Sequence, residues 1–197
     1  MQHFHFVYMW VGLMLATFGC LSPSLLAESL HHGTAERGVT PSGGSCPERT
    51  GVKAAKAPVF TLTDQFKKEH RYHFPRPRAS VLLVADYGGS EQLENWVRPI
   101  YARYQDRVAL DGVADLSKVP RFARDMVRAF FRGQLDYPVM LDWSGEVTTR
   151  YRYQPGEANL FVIDSTGHIV LKVMGGVSHT KLQRVFTALS GLLACQS

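Results

Sequence analysis

The chain has 197 residues, enough for one domain with an ordinary hydrophobic core. Hydrophobic residues make up 45% of it and charged residues 20%, a normal globular balance. The formal net charge of +5 is mild, and no aromatic–basic motif accompanies it, which argues against a nucleic-acid partner.

Residues 1–27 contain no Asp, Glu, Lys or Arg, and residues 7–19 are mostly apolar. Leu25-Leu26-Ala27 offers a small residue at a cleavage point, so this stretch is expected to be a secretory signal peptide. Its start carries His3 and His5 in place of Lys or Arg. Residues 4–21 approach spanning length, so the alternative is an uncleaved membrane anchor. Both readings predict export, to a periplasmic or extracellular space. Cys20 is a poor lipoprotein site, because bulky Phe18 stands where a small residue is needed. Once the leader is removed, Cys46 and Cys195 remain, near opposite ends of the chain. In an oxidising compartment they either pair as a disulfide or stay two unrelated thiols. Residues 28–57 are rich in Gly, Ser, Thr and Pro and read as a flexible linker. Within it, His31-His32 lack a third metal ligand at helical spacing.

The folded domain is expected over 58–194. Residues 60–62 and 71–74 read as two strands around a polar turn, ended by Pro75 and Pro77. Residues 81–85 are a continuous apolar run, the mark of a strand covered on both faces. Asp86-Tyr87-Gly88-Gly89 stops that strand. Ser90 is placed as the cap of the next helix, with Glu91 near the positive end of its dipole. Leu93, Trp96, Val97, Ile100, Tyr101 and Tyr104 recur at helical spacing, which predicts a helix over 90–105, kinked at Pro99. A strand over 107–113 follows, then a helix over 117–132. The core stripe of that helix is read as Val119, Phe122, Ala123, Met126, Val127 and Phe130. Arg121, Arg124, Arg128 and Arg132 share its other face, read as the solvated side, with weak contact to an anionic surface as the alternative. Residues 139–141 read as a short strand, 142–145 as a turn and 146–151 as a short helix. Strands over 159–163 and 169–173 form a hairpin about Asp164-Ser165-Thr166-Gly167-His168. Ser178 caps a last helix that turns Leu182, Val185, Phe186 and Leu189 inward. The fold class is therefore α/β: a mixed central sheet flanked by helices, with an N-terminal β-hairpin extension.

This order resembles the thioredoxin-like superfamily, on its peroxiredoxin-like and secreted thiol–disulfide side. Phe60-Thr61-Leu62-Thr63-Asp64-Gln65 looks like the opening strand and turn. Leu141-Asp142-Trp143-Ser144-Gly145-Glu146-Val147 looks like the Asp-x-x-Gly-Glu-Val turn, and residues 161–170 match the last hairpin. The resemblance implies a nucleophilic Cys at the end of the central strand, with its thiolate stabilised by a helix start. There the sequence reads Asp86-Tyr87-Gly88-Gly89-Ser90-Glu91-Gln92. The resemblance also implies a cis-proline ahead of the strand at Leu160. Alignment on Phe161 puts Ala158 in that place, with Pro155 three residues earlier. The chain is similar, too, to secreted cysteine-lacking thioredoxin-like proteins of the YtfJ type. The shared features are a Ser-containing turn and the Pro155-Gly156-Glu157 segment.

These residues lead to the expectation of an exported, non-redox domain that binds a protein, peptide or small ligand. Its candidate site is Asp86, Tyr87, Ser90, Glu91, Gln92, Pro155 and Glu157, which the fold would gather at one end of the sheet. The plainer reading is that these residues only stop a strand and cap a helix. The alternative from another class is a thiol–disulfide oxidoreductase or peroxidase using the displaced Cys46 and Cys195. A third is a hydrolase using Asp86 or Ser90, although no Gly-x-Ser-x-Gly elbow is present. No catalytic residue, cofactor or metal is assigned, and neither His168 nor His179 has a ligand set around it.

Overall fold

The computed structural model describes residues 55–194. The leader at 1–27, the 4–21 span, the 28–57 linker up to its last three residues, His31, His32, Cys20, Cys46 and Cys195 lie outside them.

A small antiparallel hairpin opens the described chain. Phe60–Thr63 (β1) pairs with Glu69–Tyr72 (β2), Phe60 opposite Tyr72 and Thr63 opposite Glu69. The second strand starts two residues earlier than expected because Asp64 closes the turn. Its Oδ1 accepts the backbone N–H groups of Phe66 at 2.8 Å and Lys68 at 2.9 Å, so the ladder restarts at Glu69.

The main sheet has five strands in the order β5-β4-β3-β6-β7. They are Ser80–Ala85 (β3), Ala109–Asp115 (β4), Met140–Asp142 (β5), Asn159–Ile163 (β6) and Ile169–Met174 (β7). β3 runs parallel to β4 and antiparallel to β6. β4 is parallel to β5, and β6 antiparallel to β7. Every residue of β3 is buried, as its unbroken apolar run predicts for a strand covered on both faces. Alternation then divides the core in two. Val81 and Leu83 join Trp96, Ile100, Tyr104, Leu160, Val185 and Leu189. Leu82 and Val84 join Phe60, Tyr72, Tyr151, Phe161 and Ile163. The mixed sheet, its flanking helices and the N-terminal hairpin are those expected.

The helices are Tyr87–Ser90 (α1), Leu93–Tyr104 (α2), Arg124–Gln134 (α3), Glu146–Arg150 (α4) and His179–Ala194 (α5). None of the helices among the described residues is long and apolar enough to cross a membrane. Two expectations are corrected. The single helix over 90–105 is a short turn, α1, followed by α2, which carries Pro99 inside it. The cap of α1 is Asp86, whose side chain accepts the Gly89 N–H. Ser90 lies within α1 and donates its hydroxyl to the Tyr87 carbonyl at 2.7 Å.

The larger correction concerns α3. It starts at Arg124, after a 3-10 turn over Arg121–Ala123, and none of its residues is buried. Phe122, Met126 and Phe130, expected in the core, are exposed. Arg124 and Arg128, expected in solvent, turn inward. Their guanidinium carbons stand 5.4 and 5.6 Å from the centre of the Trp143 ring. Arg124 also donates to the Trp143 carbonyl and Arg128 to the Asp64 carbonyl. Guanidinium stacking on an indole face, completed by these hydrogen bonds, sets the helix's orientation against its hydrophobic pattern.

Candidate functional site

Three parallel strands, β3, β4 and β5, finish at the same end of the sheet, and each finishes in an aspartate. Asp86 follows β3, while Asp115 and Asp142 close β4 and β5 in register with each other. A carboxylate at a strand end can accept the N–H groups freed as the backbone turns away. Asp142 is fully buried and does this completely. Its Oδ1 accepts from Gly145 N at 2.9 Å and Ser144 Oγ at 3.0 Å, and its Oδ2 from Thr148 N at 3.0 Å. Asp115 accepts from Ser117 N at 3.0 Å and from the Tyr153 hydroxyl. Burial pushes the Asp115 carboxyl upward, but those two donors outweigh it and hold its pKa below the usual value. The Tyr153 phenol is pushed well above its usual range, first by burial and then by Asp115.

Asp86 joins two segments. Its Oδ1 accepts Gly89 N at 3.0 Å within α1. Across the gap it takes Gly156 N, 3.1 Å from Oδ1 and 3.0 Å from Oδ2. Gln92 makes a second tie, its Oε1 accepting the Ala158 N–H at 3.2 Å. A proline at 158, as the family resemblance would have it, has no N–H to give. Gly89 is the point of closest approach, where an added Cβ would lie 2.3 Å from the Glu157 carbonyl oxygen. Asn159, fully buried, fastens the loop from beneath. Its Nδ2 donates to the Gln154 and Glu157 carbonyls, each at 2.9 Å, and its Oδ1 accepts Gln154 N at 2.7 Å.

The candidate residues therefore divide. Asp86 and Gln92 reach across to the 156–158 backbone and close the space between turn and loop. Tyr87, Glu91 and Pro155 are exposed on the rim, with Tyr87 66% accessible. Ser90 is half-buried, and its hydroxyl is committed to Tyr87, with no base engaging it. Glu157 is half-buried, and its carboxylate and the Lys181 ammonium both approach Gly175. Sequence reasoning missed Gly89, Asp115, Tyr153 and Asn159. The available signal was a polar residue opening the apolar strand 159–163. The remaining three depend on partners distant in sequence. Among the described residues, no group of three His, Cys, Asp or Glu is placed to hold a metal ion. The geometry offers a rigid, hydrogen-bonded rim with a protruding aromatic ring and a carboxylate.

No protein-family model and no curated protein sequence matches the chain. Solved structures do. A candidate thiol:disulfide interchange protein DsbE from Chlorobium tepidum superposes with a TM-score of 0.56 at 20% identity, over 72% of this chain and 98% of that one. The exposed lipoprotein thioredoxin of Streptococcus pneumoniae gives 0.54 at 19% identity, over 68% and 100%. The thioredoxin domain of a thiol-disulfide oxidoreductase from Bacteroides vulgatus gives 0.51 at 16% identity, over 71% and 99%. At these identities the likeness is one of architecture, and the chain has the thioredoxin-like fold.

Proposed function

We propose that the chain is an exported thioredoxin-like domain that works by binding rather than by thiol exchange, of the cysteine-lacking kind that the YtfJ-type resemblance implies. The charge-free apolar leader at 1–27 supports export. One observation carries the non-redox reading: the turn after the central strand is knit by Asp86 and Gln92 to the 156–158 loop. The resemblance assigns that turn to a thiolate and its attack on a disulfide. Here a carboxylate with no redox state caps the turn, and residues 86–92 contain no Cys. The rim of Tyr87, Glu91 and Pro155 is left to meet an extended peptide or small ligand, with Asp86, Ser90, Gln92 and Glu157 holding it in shape.

The test uses the exported chain in two assays: reduction of insulin disulfides, and peroxide consumption with a dithiol reductant. No turnover above buffer is expected, with or without Cys46→Ser and Cys195→Ser. Turnover that either substitution abolishes overturns the reading in favour of displaced-cysteine catalysis. Titration with a library of short peptides, followed by amide chemical shifts, should perturb 87–92 and 155–158. Shifts confined to another surface would remove the proposed location.

A further inference from the structure

The outward face of α3 carries none of the residues assigned to the strand-end rim. We propose that this face pairs with itself: two copies of the chain associate through an antiparallel, two-fold packing of α3 on α3. Phe122 in the preceding turn, then Met126, Ala129, Phe130 and Gly133, fall on one side at helical spacing. Phe122 is 92%, Met126 66% and Phe130 40% exposed. An apolar stripe of this kind, on a helix with no fully buried residue, marks an interaction surface.

The charges beside the stripe identify the occupant. Asp125 and Arg132 are both exposed and opposite in sign, and at two helical turns apart they lie on the same flank of α3. A two-fold axis makes residue i of one copy meet residue j of the other, and j meet i. With the axis set between Arg128 and Ala129, Asp125 stands opposite Arg132 of the second copy, and Arg132 opposite its Asp125. Both pairs share that one centre. The same centre brings Phe130 to Met126, and it places Phe122 near Gly133, where an added Cβ would meet nothing within 4 Å. A parallel arrangement would instead carry this flank to opposite sides of the seam in the two copies, leaving Asp125 and Arg132 without each other as partners. An anionic bilayer is the poorer match. Two of the four arginines in the row, Arg124 and Arg128, are turned onto Trp143, and the exposed pair is interleaved with acids. The surface is small, so the association belongs to the weak, transient class.

The test is sedimentation velocity of the exported chain across the micromolar range, in low salt and with reductant so that no intermolecular disulfide contributes. A concentration-dependent dimer is expected. Asp125 and Arg132 lie two turns apart and cannot pair within one helix. Asp125→Arg or Arg132→Asp alone should therefore weaken the dimer about tenfold or more, and the double exchange should restore it to within about threefold. Phe122→Ser with Met126→Ser should abolish it while the circular dichroism melt stays as in the parent. A monomer throughout the range overturns the proposal, as does a dimer indifferent to these changes or a double exchange that fails to rescue. Monomers that co-sediment with phosphatidylglycerol vesicles through Phe122 and Met126 would assign the face to lipid instead.

Discussion

Asp86 shows how one side chain can convert a turn from a reactive place into a structural joint. Its carboxylate takes one N–H from its own helical turn and one from a loop 70 residues away. Removing it leaves the Gly89 and Gly156 N–H groups without acceptors and cuts the strut between turn and loop. Asp86→Ala should therefore cost about 1–3 kcal/mol, the range for losing a helix cap together with a charge-assisted hydrogen bond. Asp86→Asn, which keeps one carbonyl oxygen as acceptor, should cost less. Urea unfolding of the three proteins measures the order, and hydrogen exchange at Gly156 should speed up most in the alanine variant. Equal stability of all three would show that the joint is held elsewhere, Gln92 and Asn159 being the remaining ties.

Among the elements, α3 is the outlier. It attaches through cations on an indole, contacts worth about 0.5–1 kcal/mol each when partly exposed, where α2 and α5 attach through buried aliphatic and aromatic rows. Trp143→Ala should loosen it locally. Amide exchange across 124–134 is expected to accelerate while protection in β3 and β6 stays near the parent's, and uniform acceleration across the sheet would refute so local an attachment. The same contrast explains what the sequence disclosed. Residues 81–85 and the hairpin about Asp164 were legible because a continuous apolar run and an Asp-led turn state their environment locally. The inward side of α3 was not. A helix with Phe on one side and Arg on the other points its Phe side to the core unless a Trp beyond its own end draws the Arg side in. The cap was ambiguous for a similar reason. Asp86 and Ser90 both carry a capping oxygen, and the distant loop that brings the Gly156 N–H to the Asp86 carboxylate is not visible in the local sequence. The candidate site was legible as a place, the end of the parallel strands, and the pairing of its residues was not.

At the scale of the whole molecule, the small hairpin, the edge of the main sheet and α3 meet at Asp64. Its backbone bridges to Met140 and its carbonyl accepts from Arg128. Its side chain, 1% exposed, takes Phe66 N and Lys68 N on one oxygen and faces His70 Nε2 at 2.7 Å on the other. Burial pushes this carboxyl upward, but the hydrogen bonds from His70, Lys68 and Phe66 together outweigh it and lower its pKa. In the unfolded chain Asp64 takes up its proton near pH ~3.9, whereas in the native state it does so only at lower pH. Between those values the unfolded state binds more protons, so stability present above that range is lost as the pH falls through it. Asn at this position still accepts from the two backbone N–H groups and cannot titrate. Asp64→Asn should therefore be less stable than the parent near pH ~7, and should lose less on going to pH ~3. Urea unfolding free energies measured along that interval decide the matter. Parallel curves for parent and variant would mean that the junction does not govern the acid limb. A shallower curve for the variant would place an acid-sensitive contact where the hairpin, the sheet edge and α3 join.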